Sequence, residues 1–309
     1  MSKATHKIEI KPLLVYKEIL PYHPDLFRAL GNHYMELYHY DKALSHLLKA
    51  EKLGIRTLEN LKDIAYCYRR TEQYAKALEY YLAAEQKGAL DQVDFQDIAF
   101  CYRELSNFAK ALEYYLKAAQ LTPKSSWIWD NIGWCYQKLD DYEKALECHL
   151  KAYHIASQDA WTLRNVGFCY QKLSQYQSAL EYYQKSLVHE PDNTFTLRKI
   201  GWCFIVVGDF AKAQEMLSQA LDIDEADTEI SRYAWMNLGH TYWSNNNQEM
   251  ITKCYRRSIQ LYDLDEFVED MAHDYQYVEK YHHIPLDVYQ KMQNDVISWW
   301  KSQQSNLTK

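Results

Sequence analysis

The stretch SWIWDNIGWCYQKLDDYEKALECHLKAYHIASQD, residues 126–159, decides how the chain is built. Its apolar residues recur three and four positions apart, the period of an α-helix. Trp129, Ile132, Gly133 and Tyr136 make one stripe, and Ala145, His149 and Ala152 make another. Asp140 and Asp141 lie between them, where they break one helix and cap the start of the next. The stretch therefore predicts a helical hairpin.

Outward from this hairpin the pattern recurs every 34 residues. Cysteines stand at Cys67, Cys101, Cys135, Cys169 and Cys203. Next to them run Tyr34, Tyr68, Tyr102, Tyr136, Tyr170 and Phe204. Two small-residue series follow: Ala43, Ala77, Ala111, Ala145, Ala179 and Ala213, then Ala50, Ala84, Ala118, Ala152, Ser186 and Ala220. Six repeats run in unbroken register over 24–57, 58–91, 92–125, 126–159, 160–193 and 194–227. A four-residue insertion, Thr228 to Ser231, precedes a seventh repeat, 232–265, with Trp235, Leu238, Gly239 and Tyr242 in the same places. The eighth place is always small: Gly31, Ala65, Ala99, Gly133, Gly167, Gly201 and Gly239. Gly inside a helix costs ~1 kcal/mol against Ala, so its use there points to two helices in close approach.

These residues resemble the tetratricopeptide repeat, a 34-residue pattern of Trp-x2-Leu-Gly-x2-Tyr, then Ala-x3-Phe, then Pro. Trp129, Ile132, Gly133, Tyr136, Ala145 and His149 fill those places in the fourth repeat, and Pro123 and Pro191 take the proline place. The resemblance covers residues 24–265. It implies an all-α fold, a right-handed α-α superhelix of about seven hairpins. Ile251 departs from the pattern, standing where the family has Ala, so the second helix of the seventh repeat is expected to be displaced. Stacked repeats need polar-faced ends. Residues 266–309 suit a C-terminal capping pair with a frayed tail. One helix is expected from about Glu266 to His282, a break over His282 to Pro285, and a second helix with Leu286, Tyr289, Val296, Ile297 and Trp300 on one face. In residues 1–23, Leu13, Tyr16 and Pro21 fit the tail of a second helix in the same register. That half-repeat is either an N-terminal cap, the favoured reading, or the entry to the last part of a longer array.

Bulk composition sets limits. The chain has 309 residues, 15% of them aromatic, with only 8 Gly and 6 Pro. So few turn-formers leave little room for an all-β fold. A net charge of −7 disfavours nucleic acid on the whole surface, because phosphate affinity comes from accumulated Lys and Arg. No stretch approaches the ~18 apolar residues of a membrane span, and the charged N-terminus lacks a signal-peptide core. The default compartment is the cytoplasm. No phosphate-binding glycine loop, zinc-protease helix motif, serine-nucleophile elbow or paired Cys-x2-Cys occurs. No enzyme activity, cofactor or metal site is expected. The cysteines read as buried fillers, one per repeat and too far apart for disulfides. His282 and His283 read as a helix breaker. Of 28 tyrosines, most fall at four places of the repeat and read as one packing solution copied along the chain.

In tetratricopeptide arrays first helices line a concave face, so by resemblance places 2, 5, 9 and 12 look into a groove. The ninth place carries Asn32, Tyr66, Phe100, Trp134, Phe168, Trp202 and His240. The second place carries Trp127, Trp161, Phe195 and Tyr233 in the later repeats. The fifth includes Arg28, Lys62, Asp130, Arg164 and Arg198, and the twelfth includes Arg69, Arg103, Gln137 and Gln171. Six positives (Arg28, Lys62, Arg69, Arg103, Arg164, Arg198) stand against three negatives (Asp25, Glu59, Asp130) on an acidic chain. Trp, Tyr and Arg also dominate interface hot spots. The expected partner is a protein or peptide with acidic and aromatic or apolar character, held by a non-catalytic scaffold. The plainer alternative is that these rings only pack between neighbouring first helices. A peptide-sensing regulatory module is a narrower version of the scaffold. A single-stranded nucleic-acid binder is weaker still, resting on base stacking. The clamp that holds chaperone C-termini is excluded: Arg28 and Asn32 match its first part, but Asp63, Val93 and Asp97 replace the rest.

Overall fold

The computed structural model describes residues 22–156, 159–223, 229–261 and 263–307. Sixteen α-helices and no strand occur among them. The half-repeat read from Leu13, Tyr16 and Pro21 lies outside the described residues, as does Thr228 of the insertion. The chain divides into two compact halves, 1–155 and 156–309.

The N-terminal half holds four hairpins: α1 (Pro24–Glu36) with α2 (Tyr40–Lys52), α3 (Leu58–Arg70) with α4 (Tyr74–Glu85), α5 (Gln92–Glu104) with α6 (Phe108–Leu121), and α7 (Ser126–Lys138) with α8 (Tyr142–Ile155). The C-terminal half holds α9 (Ala160–Lys172) with α10 (Tyr176–His189), α11 (Thr194–Val207) with α12 (Phe210–Ile223), and α13 (Glu229–Tyr242) with α14 (Gln248–Ile259). Two longer helices close it, α15 (Leu264–His282) and α16 (Leu286–Leu307).

One device turns every hairpin. The fifteenth place of each repeat is left-handed: Tyr38, Glu72, Ser106, Asp140, Ser174, Gly208 and Asn246 all have φ between 52° and 85°. A left-handed residue ends a helix by redirecting the chain. The sixteenth place then starts the next helix. Asn107, Asp141, Asp209 and Asn247 each accept a hydrogen bond from the backbone N–H three residues on, the N-cap geometry.

The eighth place explains the close approach. A Cβ on Gly133 would lie 2.7 Å from His149 Nε2, and one on Gly239 would lie 2.5 Å from the Tyr255 ring. Ile251 is buried in the seventh repeat and Tyr255 lies over Gly239 as Tyr183 does over Gly167. The expected displacement of that helix therefore does not occur; the hairpin has room for Ile where others have Ala.

All seven cysteines are buried and none is in a disulfide. Burial pushes the thiols of Cys67, Cys101, Cys135, Cys203 and Cys254 up to about 12, which suppresses the reactive thiolate. Between repeats, Tyr80 donates to Glu51 at 2.9 Å and Tyr114 donates to Glu85 at 2.8 Å. In the C-terminal half, Phe267 and Met271 of α15 and Tyr289 and Val296 of α16 share one core with Ile251, Tyr255 and Ile259. Leu286, expected on that face, is exposed at the start of α16. No helix among the described residues is long and apolar enough to cross a membrane.

Candidate partner-binding site

In the N-terminal half the ninth-place rings do not stand alone. Each meets the seventeenth-place ring of the preceding repeat edge-on, the favoured aromatic geometry. Tyr66 meets Tyr40 at 5.8 Å, Phe100 meets Tyr74 at 5.9 Å and Trp134 meets Phe108 at 5.4 Å between centroids. The seventeenth place opens each second helix, so both rings sit at the hairpin turn. Sequence reasoning treated the seventeenth place as packing. Its signal was available, since Tyr40, Tyr74, Phe108, Tyr142, Tyr176 and Phe210 are all aromatic.

Cations lie over these rings. Arg69 is 5.0 Å from the Tyr66 centroid and 5.4 Å from that of Phe100. Arg103 is 4.5 Å from Phe100 and 5.4 Å from Trp134. Arg70 is 4.7 Å from Tyr40, and Lys138 is 5.3 Å from Trp134. Each such contact is worth about 0.5–1 kcal/mol at an exposed site, enough to fix the rings in place. Tyr66, Phe100 and Trp134 are all partly exposed. Trp127 is 48% exposed, with its ring edge-on to Tyr115 at 5.9 Å.

In the C-terminal half Phe168 lies under Lys172 at 5.7 Å and Lys199 at 5.3 Å. Lys199 is also 5.3 Å from Phe195. Burial, reinforced by Arg198 and Lys172, pulls the Lys199 ammonium down to about 7. Arg198 lies 5.1 Å from Tyr233, and Trp161 is exposed. Trp202 differs from the rest: Tyr277 of α15 covers it edge-on at 4.9 Å.

The charges counted for the groove are largely met inside the chain. Lys62 pairs with Asp94 at 2.6 Å, Arg69 with Asp97 at 3.2 Å, Arg103 with Glu104 at 2.8 Å and Arg164 with Glu190 at 2.7 Å. Arg28 approaches Asp25 at 4.0 Å. Arg70 and Lys138, at the thirteenth place, make no ion pair with any described residue. The uncompensated charge thus sits one residue beyond the place where sequence reasoning put it.

The twelfth place also turns inward. Gln137 bonds His149 Nε2 at 3.1 Å, and His149 Nδ1 bonds Asp130 at 2.9 Å. Gln171 accepts from the Tyr183 hydroxyl at 2.8 Å. Arg103 Nη1 donates to Asn131 at 3.0 Å. These side chains tie first helices to second helices or to the next repeat. Among the described residues, no group of three or more His, Cys, Asp or Glu is placed to hold a metal.

Models of the tetratricopeptide repeat match residues 93–158 and 158–226, and a second such model matches 233–263. Together they cover just over half of the chain. The chain belongs to the tetratricopeptide-repeat family. Tetratricopeptide proteins are modules of protein–protein interaction. No curated protein matches the chain. Among solved structures it resembles the C-terminal part of a TPR repeat-containing protein from Cytophaga hutchinsonii, at 14% identity and TM-score 0.64, over 76% of this chain and 95% of that one. It also resembles a tetratricopeptide repeat protein from Parabacteroides merdae, at 14% identity and TM-score 0.58, over 80% and 96%. A third is YrrB, described as a TPR protein with an unusual peptide-binding site, at 19% identity and TM-score 0.55, over 60% and 95%. At these identities the likeness is one of fold.

Proposed function

We propose that this tetratricopeptide-repeat protein is a non-catalytic scaffold that holds a peptide or partner protein along its ring-and-cation edge. One observation carries the reading: Tyr66, Phe100 and Trp134 remain partly exposed while arginines fix their orientation. Rigid aromatic groups lose little entropy on binding and supply most interface energy. Arg70 and Lys138 add charge that no described residue neutralises, which favours a partner with carboxylates beside its apolar anchors. The peptide-binding site named for YrrB is consistent with such a role.

The experiment is a paired capture. Wild-type chain and a Trp134→Ala/Arg70→Glu double variant serve as bait in the same extract, and any protein lost with the variant is then purified and titrated against both. A drop in affinity of tenfold or more, about 1.4 kcal/mol, is expected. A partner bound equally by both chains would remove the edge from the site.

A further inference from the structure

The C-terminal half carries a built-in occupant of the same edge. Through its first part, α15 behaves as the first helix of an eighth repeat. Glu266 pairs with Arg232 at 2.7 Å and Asp274 bonds His240 Nε2 at 3.1 Å, both 34 residues apart. The first helices of the seven repeats are 13 or 14 residues long, but α15 runs for 19. Its extra turn crosses the edge of the sixth repeat. Tyr277 covers Trp202, the ninth-place ring. Tyr281 meets Phe210, the seventeenth-place ring, edge-on at 5.9 Å, and its hydroxyl donates to the Val206 carbonyl. That carbonyl is one of the groups a helix end leaves without an intrahelical partner. The recognition element is thus a helix with a carboxylate, a tyrosine three residues on and a second tyrosine four residues after that.

The N-terminal half repeats this receptor. Phe100 and Phe108 hold the places of Trp202 and Phe210, and Tyr74 holds the place of Tyr176. The carbonyl of Glu104 corresponds to that of Val206 and accepts no hydrogen bond from any described residue. Lys138 stands beside Trp134, which corresponds to His240, the residue that meets Asp274. No described segment of the N-terminal half lies across these rings.

From this equivalence we infer that the edge of the third and fourth repeats binds a partner α-helix presenting carboxylate, Tyr and Tyr at i, i+3 and i+7, in the register that α15 adopts on the sixth and seventh. The inference rests on the proposed scaffold reading and names its partner class. The two tyrosines lie on one helix face and reach the ninth-place ring and the turn carbonyl. The carboxylate reaches Lys138. Helix-in-groove recognition of this kind reads spaced anchors on one helical stripe.

The probe is a fluorescent synthetic peptide of residues 264–284, titrated into the full chain. Saturable binding is expected, weakened about tenfold or more by Phe108→Ala and by the peptide change Tyr281→Ala. Lys138→Glu should weaken it severalfold at low salt, with the difference shrinking as salt rises. This variant alters an exposed side chain, so its effect is independent of folding. Absence of saturation up to about 0.5 mM, weaker than any useful helix docking, overturns the inference. So does binding that ignores Phe108 and Lys138 but is lost with Trp202→Ala, since the peptide would then only exchange with α15. Self-association of the chain that the peptide dissolves would put a second copy on the edge and overturn it as well. If the peptide fails while Trp134→Ala/Arg70→Glu still loses a captured partner, the scaffold reading stands and only the helix class falls.

Discussion

The third and sixth repeats share a period and differ in what covers them. Both set an aromatic at the ninth place and a Phe at the seventeenth. Around these rings the third repeat has Arg103, Glu104 and Ser106, whereas the sixth has Ile205, Val206 and Gly208. Ile205 and Val206 are buried, and Gly208 lies against the Tyr281 ring, 3.4 Å from where its Cβ would stand. A Cβ at that distance makes ordinary van der Waals contact with the ring. The turn geometry does not itself demand glycine, since six other residue types or copies hold the same place with positive φ. The periodic places build the hairpin in both repeats, and the aperiodic ones differ where α15 covers the sixth.

The strongest way to break the comparison is to remove the anchor of the sealed edge. Tyr289 is 1% exposed and donates to the Met271 carbonyl at 3.0 Å. Tyr289→Ala should cost about 3–5 kcal/mol in the C-terminal half alone. Hydrogen exchange followed along the chain in denaturant checks this, and equal loss in residues 22–155 would refute the separation of the halves.

A milder change opens the edge without melting the cap. Tyr281→Phe keeps the ring on Phe210 and deletes the bond to Val206. The loss of about 1 kcal/mol should speed exchange of the amides over 277–282 about fivefold. Unchanged protection there would mean that ring packing alone seats α15.

Lys199 sharpens the electrostatic side of the comparison. Its ammonium is held near 7 in the folded chain against an ordinary 10.5. The unfolded chain therefore binds more protons between those values, and stability rises with pH across that window. Below pH 7 the charge must be carried in the folded state and the contribution is at its worst. Lys199→Met should flatten the slope of stability between pH 7 and 10 and raise the unfolding midpoint at pH 6. A slope that survives the substitution would place its origin elsewhere.

The smallest effect is expected at the turns. Glu72 has φ of 60°, a conformation costly for a residue with a Cβ. Glu72→Gly should stabilise the N-terminal half by about 0.5 kcal/mol after the entropy of glycine is subtracted. Thermal unfolding detects it, and a lower midpoint would show that Glu72 makes a compensating contact.

The hairpins were legible because their cause repeats. The small eighth place recurs in seven repeats, the alanines of the twentieth place in six and the cysteines of the tenth in five, so the local signal is read many times over. The close pair Gly133 and His149 follows directly from it. What escaped has no period. Tyr281 reaches Val206 across 75 residues, and nothing in the residues of α15 announces where its last turn will land. The charge reading failed in part for a related reason. Arg69 and Arg103 find Asp97, Glu104 and Asn131, partners on the next repeat or the adjacent position, which a census of single places cannot pair. The candidate edge itself was half legible: the ninth-place rings were named, while the seventeenth-place rings that complete it passed as packing.

The row of cysteines has a use beyond filling space. Cys67, Cys101 and Cys135 mark three successive hairpins, and Cys203 and Cys254 mark two more. With their thiols held near 12, they react with an alkylating reagent only when their own hairpin opens. The native chain is therefore its own graduated scale. Mass spectrometry of thiol labelling would give an opening rate for each step of the stack, with no probe attached and no residue changed.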